Sequence, residues 1–181
     1  MLLIGLSGSK YSGKDTIAKY LVDKHDFDQI RLADPIHRFI KTIELDKHFK
    51  KEQYRPLMVM MGLTCRKLNE DIFIQHANKR INDFIKYAED GTTHWNPRIV
   101  VSDIRFCNEW LWVKSRGGFI WKIEGRVEID KNDPAEIGIP ENFKPCVTIE
   151  NDKSKSKLFN AIEVALEDTI RREQDGKCCS D

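Results

Sequence analysis

Gly8-x-x-x-x-Gly13-Lys14 follows the apolar run Leu2-Leu3-Ile4 directly and precedes Thr16–Val22, which has helical spacing. Glycines at those two places let the chain turn through positive φ and approach an anion with no Cβ in the way. Successive N–H groups can then converge on phosphate oxygens, and the positive end of the following helix adds to them. Lys14 supplies a mobile point charge for the outer phosphates. A strand before and a helix after are the context this motif requires, so the run Gly8, Ser9, Ser12, Gly13, Lys14, Asp15 and Thr16 reads as a nucleotide-phosphate loop.

Asp15 stands where such loops usually carry the Ser or Thr that holds Mg²⁺. A carboxylate beside a triphosphate is repelled unless a cation lies between them. Asp15 therefore faces a hydrated Mg²⁺, or turns away, or serves the helix dipole of its own first turn. Thr16 is placed for a phosphate oxygen. Further along, Arg98–Asp103 reads as a buried strand ending on a carboxylate, and in open α/β sheets that end faces the ligand crevice. Asp103 can orient Mg²⁺ waters or the attacking group, or cap the next helix. Arg105 offers a bidentate donor to the same crevice, or is a solvated surface arginine. His37-Arg38, Arg55, Arg66 and Lys67 are individually ordinary surface cations and together make a candidate second anion site.

The elements that must position these residues alternate strand and helix, which implies a parallel sheet with right-handed crossovers. Strands are expected at Phe27–Leu32, Phe119–Ile123 and Val147–Ile149. Helices are expected near 14–23, 54–62, 70–87, 108–115 and 157–170. Another helix opens at Asp34, the candidate N-cap, with Pro35 at its first position. Gly62-Leu63-Thr64 reads as a break between two helices. Residues 34–95 are too long for one crossover and read as a helical insert. Residues 126–146, polar and aperiodic, read as a lid-like segment. The tryptophans at 95, 110, 112 and 121 read as core or interface, with Trp95 able to border a base pocket.

The 181 residues, 40% of them hydrophobic, suffice for one domain spanning 1–181. A net charge of +1, from 30 basic and 29 acidic residues, lacks the lopsided field of a nucleic-acid or membrane surface. There is no apolar run of membrane-spanning length. Five cysteines without a C-x-x-C pair indicate neither zinc nor a disulfide framework, which favours a cytoplasmic setting.

Four segments taken together resemble the phage-type deoxynucleoside monophosphate kinases. They are Gly8–Thr16, Ala33-Asp34-Pro35-Ile36, Arg55–Arg66, and Ser102-Asp103-Ile104-Arg105-Phe106-Cys107-Asn108-Glu109. The resemblance spans most of residues 1–151. The chain departs from the family pattern at Cys107, often proline there, at Phe73, often tryptophan, and at Asp133–Glu136, where only Glu136 matches. The resemblance implies a P-loop three-layer α/β fold, with a central parallel sheet, a monophosphate-binding helical insert and a lid. It implies transfer of the ATP γ-phosphate to a deoxynucleoside 5′-monophosphate, with Mg²⁺ held largely through water near Asp15 and Asp103. Lys14 and the loop amides would take the β- and γ-phosphates. Arg66 and Arg105 would grip the acceptor phosphate, with Arg38 and Arg55 as further candidates, and Arg126 would close from the lid. A homodimer and a location in the cytoplasm, a host's if the chain is viral, accord with the family pattern. Two other functions share the loop: a kinase of another small phosphate such as phosphomevalonate, and a nucleotide-dependent binding protein without turnover.

Overall fold

Along β1 (Leu2–Ser7), Leu2, Ile4 and Leu6 face one side of a sheet while Leu3 faces the other, and both sides are buried. Such a strand needs helices over both faces. The computed structural model, which describes residues 1–89, 96–125, 139–140, 142–152 and 154–176, supplies them. The elements in chain order are β1, α1 (Lys14–His25), β2 (Asp28–Ile30), α2 (Asp34–Thr42), α3 (Leu45–His48), α4 (Lys51–Leu68), α5 (Ile72–Glu89), β3 (Arg98–Ile104), α6 (Cys107–Ser115), β4 (Phe119–Gly125), β5 (Val147–Asn151) and α7 (Lys155–Gln174). The five strands are all parallel, in the order β2-β3-β1-β4-β5.

One face packs against α1 and α7 through Ile17, Leu21, Leu158, Ile162 and Leu166. The other packs against α2, α5 and α6 through Ile36, Phe73, Ala77, Ile81, Trp110 and Val113. Of the four tryptophans, Trp110, Trp112 and Trp121 are core residues, as expected, while Trp95 lies outside the described residues. The fully buried Trp121 indole donates to Thr169 Oγ1 at 3.1 Å, so its one polar atom is satisfied. Among the described residues no helix is long and apolar enough to cross a membrane.

Several local expectations need correction. No break occurs at Gly62: α4 runs unbroken from Lys51 to Leu68, through Pro56 as well. Gly62 is instead a close-approach residue, because an added Cβ would lie 3.2 Å from Arg66 Nη1 and 3.4 Å from Ile36 Cδ1. Asp34 is the first residue of α2, not its cap; Ala33 holds the cap position and offers no side-chain acceptor. Asp34 pairs with Arg80 of α5 at 2.6 Å instead. The strand expected over 27–32 is limited to Asp28–Ile30. Among the described residues Cys65 and Cys107 are free thiols.

Helix α1, which follows the glycine loop, is clasped to α7. Tyr20 Oη donates to Glu163 Oε1 at 2.6 Å, His25 Nε2 lies 2.9 Å from the same oxygen, and the Tyr20 ring stacks on Phe159. The Tyr20 hydroxyl first, and His25 second, hold the Glu163 carboxyl below its ordinary value of 4.5. A depressed carboxylate contributes stability that is present above the ordinary value and lost as pH falls through the native one. Glu163→Gln should therefore destabilise the protein slightly at pH 7, by less than about 1 kcal/mol for so exposed a pair, with a correspondingly small drop in Tm. Thermal melts should show the gap to wild type closing below pH 4.5; a gap that widens in acid would contradict the clasp.

Candidate active site

The loop after β1 forms a tight cradle built on glycine. Gly8 has φ 150° and Gly13 φ 105°, the latter at the N-cap of α1. A Cβ on Gly8 would lie 2.3 Å from the Ile123 carbonyl oxygen, and one on Gly13 would lie 2.3 Å from Asn151 Nδ2. The cradle thus rests on the C-terminal ends of β4 and β5. Gly125 at the end of β4 abuts Ser12, and Asn151 donates to the Ser12 carbonyl at 2.8 Å. The N-cap residue Gly13 has no side chain with which to cap α1, which suits the amides of the first turn to an anion. Lys14 is buried, with Nζ 2.6 Å from the carbonyl oxygens of both Gly8 and Ser9 and 3.4 Å from Ser12 Oγ. Its ammonium therefore lies at the loop. Ser12 is fully buried, whereas Asp15 and Thr16 are exposed at the start of α1.

Asp103, near the end of β3, spends each carboxylate oxygen on a backbone amide. Oδ1 accepts from Leu32 N–H at 2.7 Å and Oδ2 from Ala33 N–H at 3.0 Å. Burial pushes its carboxyl up, while the two amides and the Arg105 charge pull it down. It fastens the turn between β2 and α2 and does not cap α6.

The cations of the expected second anion site fall into three groups. Arg66 donates to Glu109 Oε1 at 2.6 Å, with its guanidinium 4.5 Å from the Phe73 ring centre and 4.2 Å from that of Phe106. Arg55 and Lys67 lie along an open groove on α4 with Met60 and Leu63. Arg38 and His37 instead line a cavity of about 450 Å³ with Arg31, Asp34, Lys41 and Arg80. Arg126 and the segment 126–138 lie outside the described residues.

That last cavity opens after β2 and is strongly cationic. Burial, then Lys51 and Arg31, lower the pKa of His37, against the opposing charges of Asp34 and Asp103. Burial, then Arg38 and Arg80, do the same to His76. Arg38 Nη2 lies 2.7 Å from His76 Nε2, a contact that suits a neutral imidazole accepting from the guanidinium. Both histidines resist protonation in a positive field, and the same field attracts anions.

Comparison with known proteins places this geometry. The family model described as "Deoxynucleotide monophosphate kinase" matches residues 2–62, from β1 through the loop into α4. A protein of Acanthamoeba polyphaga mimivirus, described as "Putative deoxynucleotide monophosphate kinase", is 28% identical over 90% of this chain and 94% of its own length. The chain is thus similar to the deoxynucleotide monophosphate kinases over its first third by the family model and over most of its length by the viral protein. A crystal structure of TT1252 from Thermus thermophilus superposes with a TM-score of 0.53, covering 92% of this chain and 97% of that one. At 15% identity that likeness concerns the fold alone.

Arg31 and Arg80 were absent from the sequence reading. Arg31 stands just past β2 with no motif around it, and Arg80 lies mid-helix among other cations. Asn151 was equally silent, being the last residue of a short strand. Gly13→Ala tests the cradle directly. Strain at φ 105° plus the Asn151 contact should weaken ADP binding by about tenfold or more, the order that 1–3 kcal/mol of backbone strain produces. Calorimetric titration with ADP measures it, and an unchanged Kd would show that this backbone does not hold the phosphates.

Proposed function

We propose that the protein transfers the ATP γ-phosphoryl group to the 5′-phosphate of a deoxynucleoside monophosphate. One observation carries the reading. Two anion-attracting cradles open at the C-terminal ends of β1 and β2, and β3, which separates those strands, contributes Asp103 between them. Adjacent strands are about 4.8 Å apart, so the cradles begin about 10 Å from each other. That span suits a phosphate chain meeting an acceptor phosphate. The relationship to deoxynucleotide monophosphate kinases supports the same assignment.

The acceptor oxygen of a monophosphate is already ionised, so no strong base is needed and rate comes from alignment and charge neutralisation. Lys14 and the amides of Gly8–Thr16 bind the donor phosphates and hold them in line. Arg31, Arg38 and Lys41 receive the acceptor phosphate, with Arg80 set by its pair with Asp34. Arg105, whose charge acts on Asp103, balances charge on the transferring group in this reading. Arg66, already paired with buried Glu109, holds the helical insert instead of gripping phosphate.

The oxygen donors present suit magnesium held mainly through water. Asp15 is exposed at the loop, and each Asp103 oxygen already accepts an amide, which leaves outer-sphere contact as its role. Among the described residues no cluster of three or more metal-ligating side chains competes with that arrangement. When bound, the ion supplies charge neutralisation on the phosphates.

Lys14→Ala should lower kcat by about 10²–10³, the scale of one preorganised charge contact. Arg38→Ala should raise the KM for the monophosphate about tenfold or more, as for loss of a charged hydrogen bond, and leave the KM for ATP nearly unchanged. A coupled ADP-release assay over deoxynucleoside and ribonucleoside monophosphates and isoprenoid phosphates measures both. Wild-type turnover by Lys14→Ala, or release with isoprenoid phosphates alone, would overturn the proposal.

A further inference from the structure

Glu109 is 1% exposed, and its two oxygens serve different partners. Oε1 accepts from Arg66 Nη2 at 2.6 Å. Oε2 accepts from the backbone N–H of Arg105 at 2.8 Å and of Phe106 at 3.1 Å. Arg66 belongs to α4, and its guanidinium lies between Phe73 of α5 and Phe106 of the turn before α6. One buried carboxylate thus meets α4 through Arg66, whose guanidinium in turn lies on Phe73 of α5, and the backbone amides of Arg105 and Phe106.

We propose that Glu109 is a positioning residue for phosphotransfer: Oε2 fixes the Arg105–Phe106 turn, and Oε1, through Arg66, ties α4 to that same turn. The consequence for turnover rests on the kinase reading above; the mechanical coupling does not.

Capping α6 does not by itself call for a charge. A glutamine at the third helical position can accept the same amides through its carbonyl oxygen. Burying an ionised carboxylate is costly unless it is paired, and Arg66 is the pair that makes the charge tolerable. Burial pushes the carboxyl up, while Arg66 and the Arg105 amide hold it down.

Other contacts keep the remainder of the insert in place without Glu109. Asn108 Nδ2 donates to the Glu70 carbonyl and to Asp71 Oδ1, both at 3.0 Å. Trp112 Nε1 donates to Asn78 Oδ1 at 2.9 Å. The parts that depend on Glu109 are the C-terminal turns of α4 and the 105–106 turn.

Two substitutions separate the two oxygens' work. Glu109→Gln can still receive the two amides and loses the ion pair. It should leave kcat within about twofold and raise the monophosphate KM about tenfold, with the ATP KM unchanged. Glu109→Ala loses both connections, so kcat should fall about tenfold as well. Hydrogen exchange over residues 103–108 should remain slow in Glu109→Gln and become fast in Glu109→Ala. If Glu109→Ala does not fold, Arg66→Met, which keeps apolar bulk between the rings, should reproduce the Glu109→Gln kinetics.

An equal rise in both KM values, or Glu109→Ala exchange as slow as wild type, would overturn the proposal. Wild-type protein that releases no ADP with any monophosphate would sink the kinase reading alone. The exchange pattern would still decide whether Glu109 holds the turn.

Discussion

The bonds from Leu32 and Ala33 amides to Asp103 join the loop after β2 to the end of β3. The relative placement of the glycine loop after β1 and the cationic cavity after β2 depends on that join. α2 starts at Asp34 with no side-chain cap of its own, and local backbone bonds such as Asp34 N–H to the Arg31 carbonyl shape the turn that enters it. Asp103 fixes it from the neighbouring strand by holding both amides just before the helix. Arg31 lies immediately before the anchored pair, and His37 and Arg38 lie one turn after it. Their distance from the nucleotide loop is therefore set by strand spacing. Loss of that carboxylate would leave two amides without their acceptors and free the cationic side chains to drift.

Gathering Arg31, Arg38, Lys41 and Arg80 around one cavity carries an electrostatic cost. Three features contain it. Asp34 neutralises Arg80, and His37 and His76 stay uncharged because burial and their cationic neighbours oppose protonation. Lys14 is handled differently. It sits on the carbonyl oxygens of its own loop, dipoles that hold an ammonium without cancelling its charge.

The legible part of the sequence was the part written in local chemistry. Gly8, Gly13 and Lys14 identify a loop because backbone geometry there excludes other residues. The parallel sheet followed from alternating apolar strands and helices, with β3, β4 and the outer helices near their expected bounds. Gly62 misled because glycine was taken as a helix breaker, whereas tertiary packing against Ile36 kept the helix and used the missing Cβ. The arginines of the insert could not be sorted, since their allegiance depends on long-range partners. Arg66 was claimed by a carboxylate 43 residues away, and Arg80 by one 46 residues away. Sequence spacing carries no trace of either pairing.

The bond from Asn151 to the Ser12 carbonyl spans 139 residues, nearly the whole chain. A loop written at the start of the protein is thus finished by a strand made close to its end. Non-local closures of this kind come late in folding, since chain entropy must be lost before they return anything. During synthesis the first helix and strand can emerge and collapse while the glycine loop still lacks its floor.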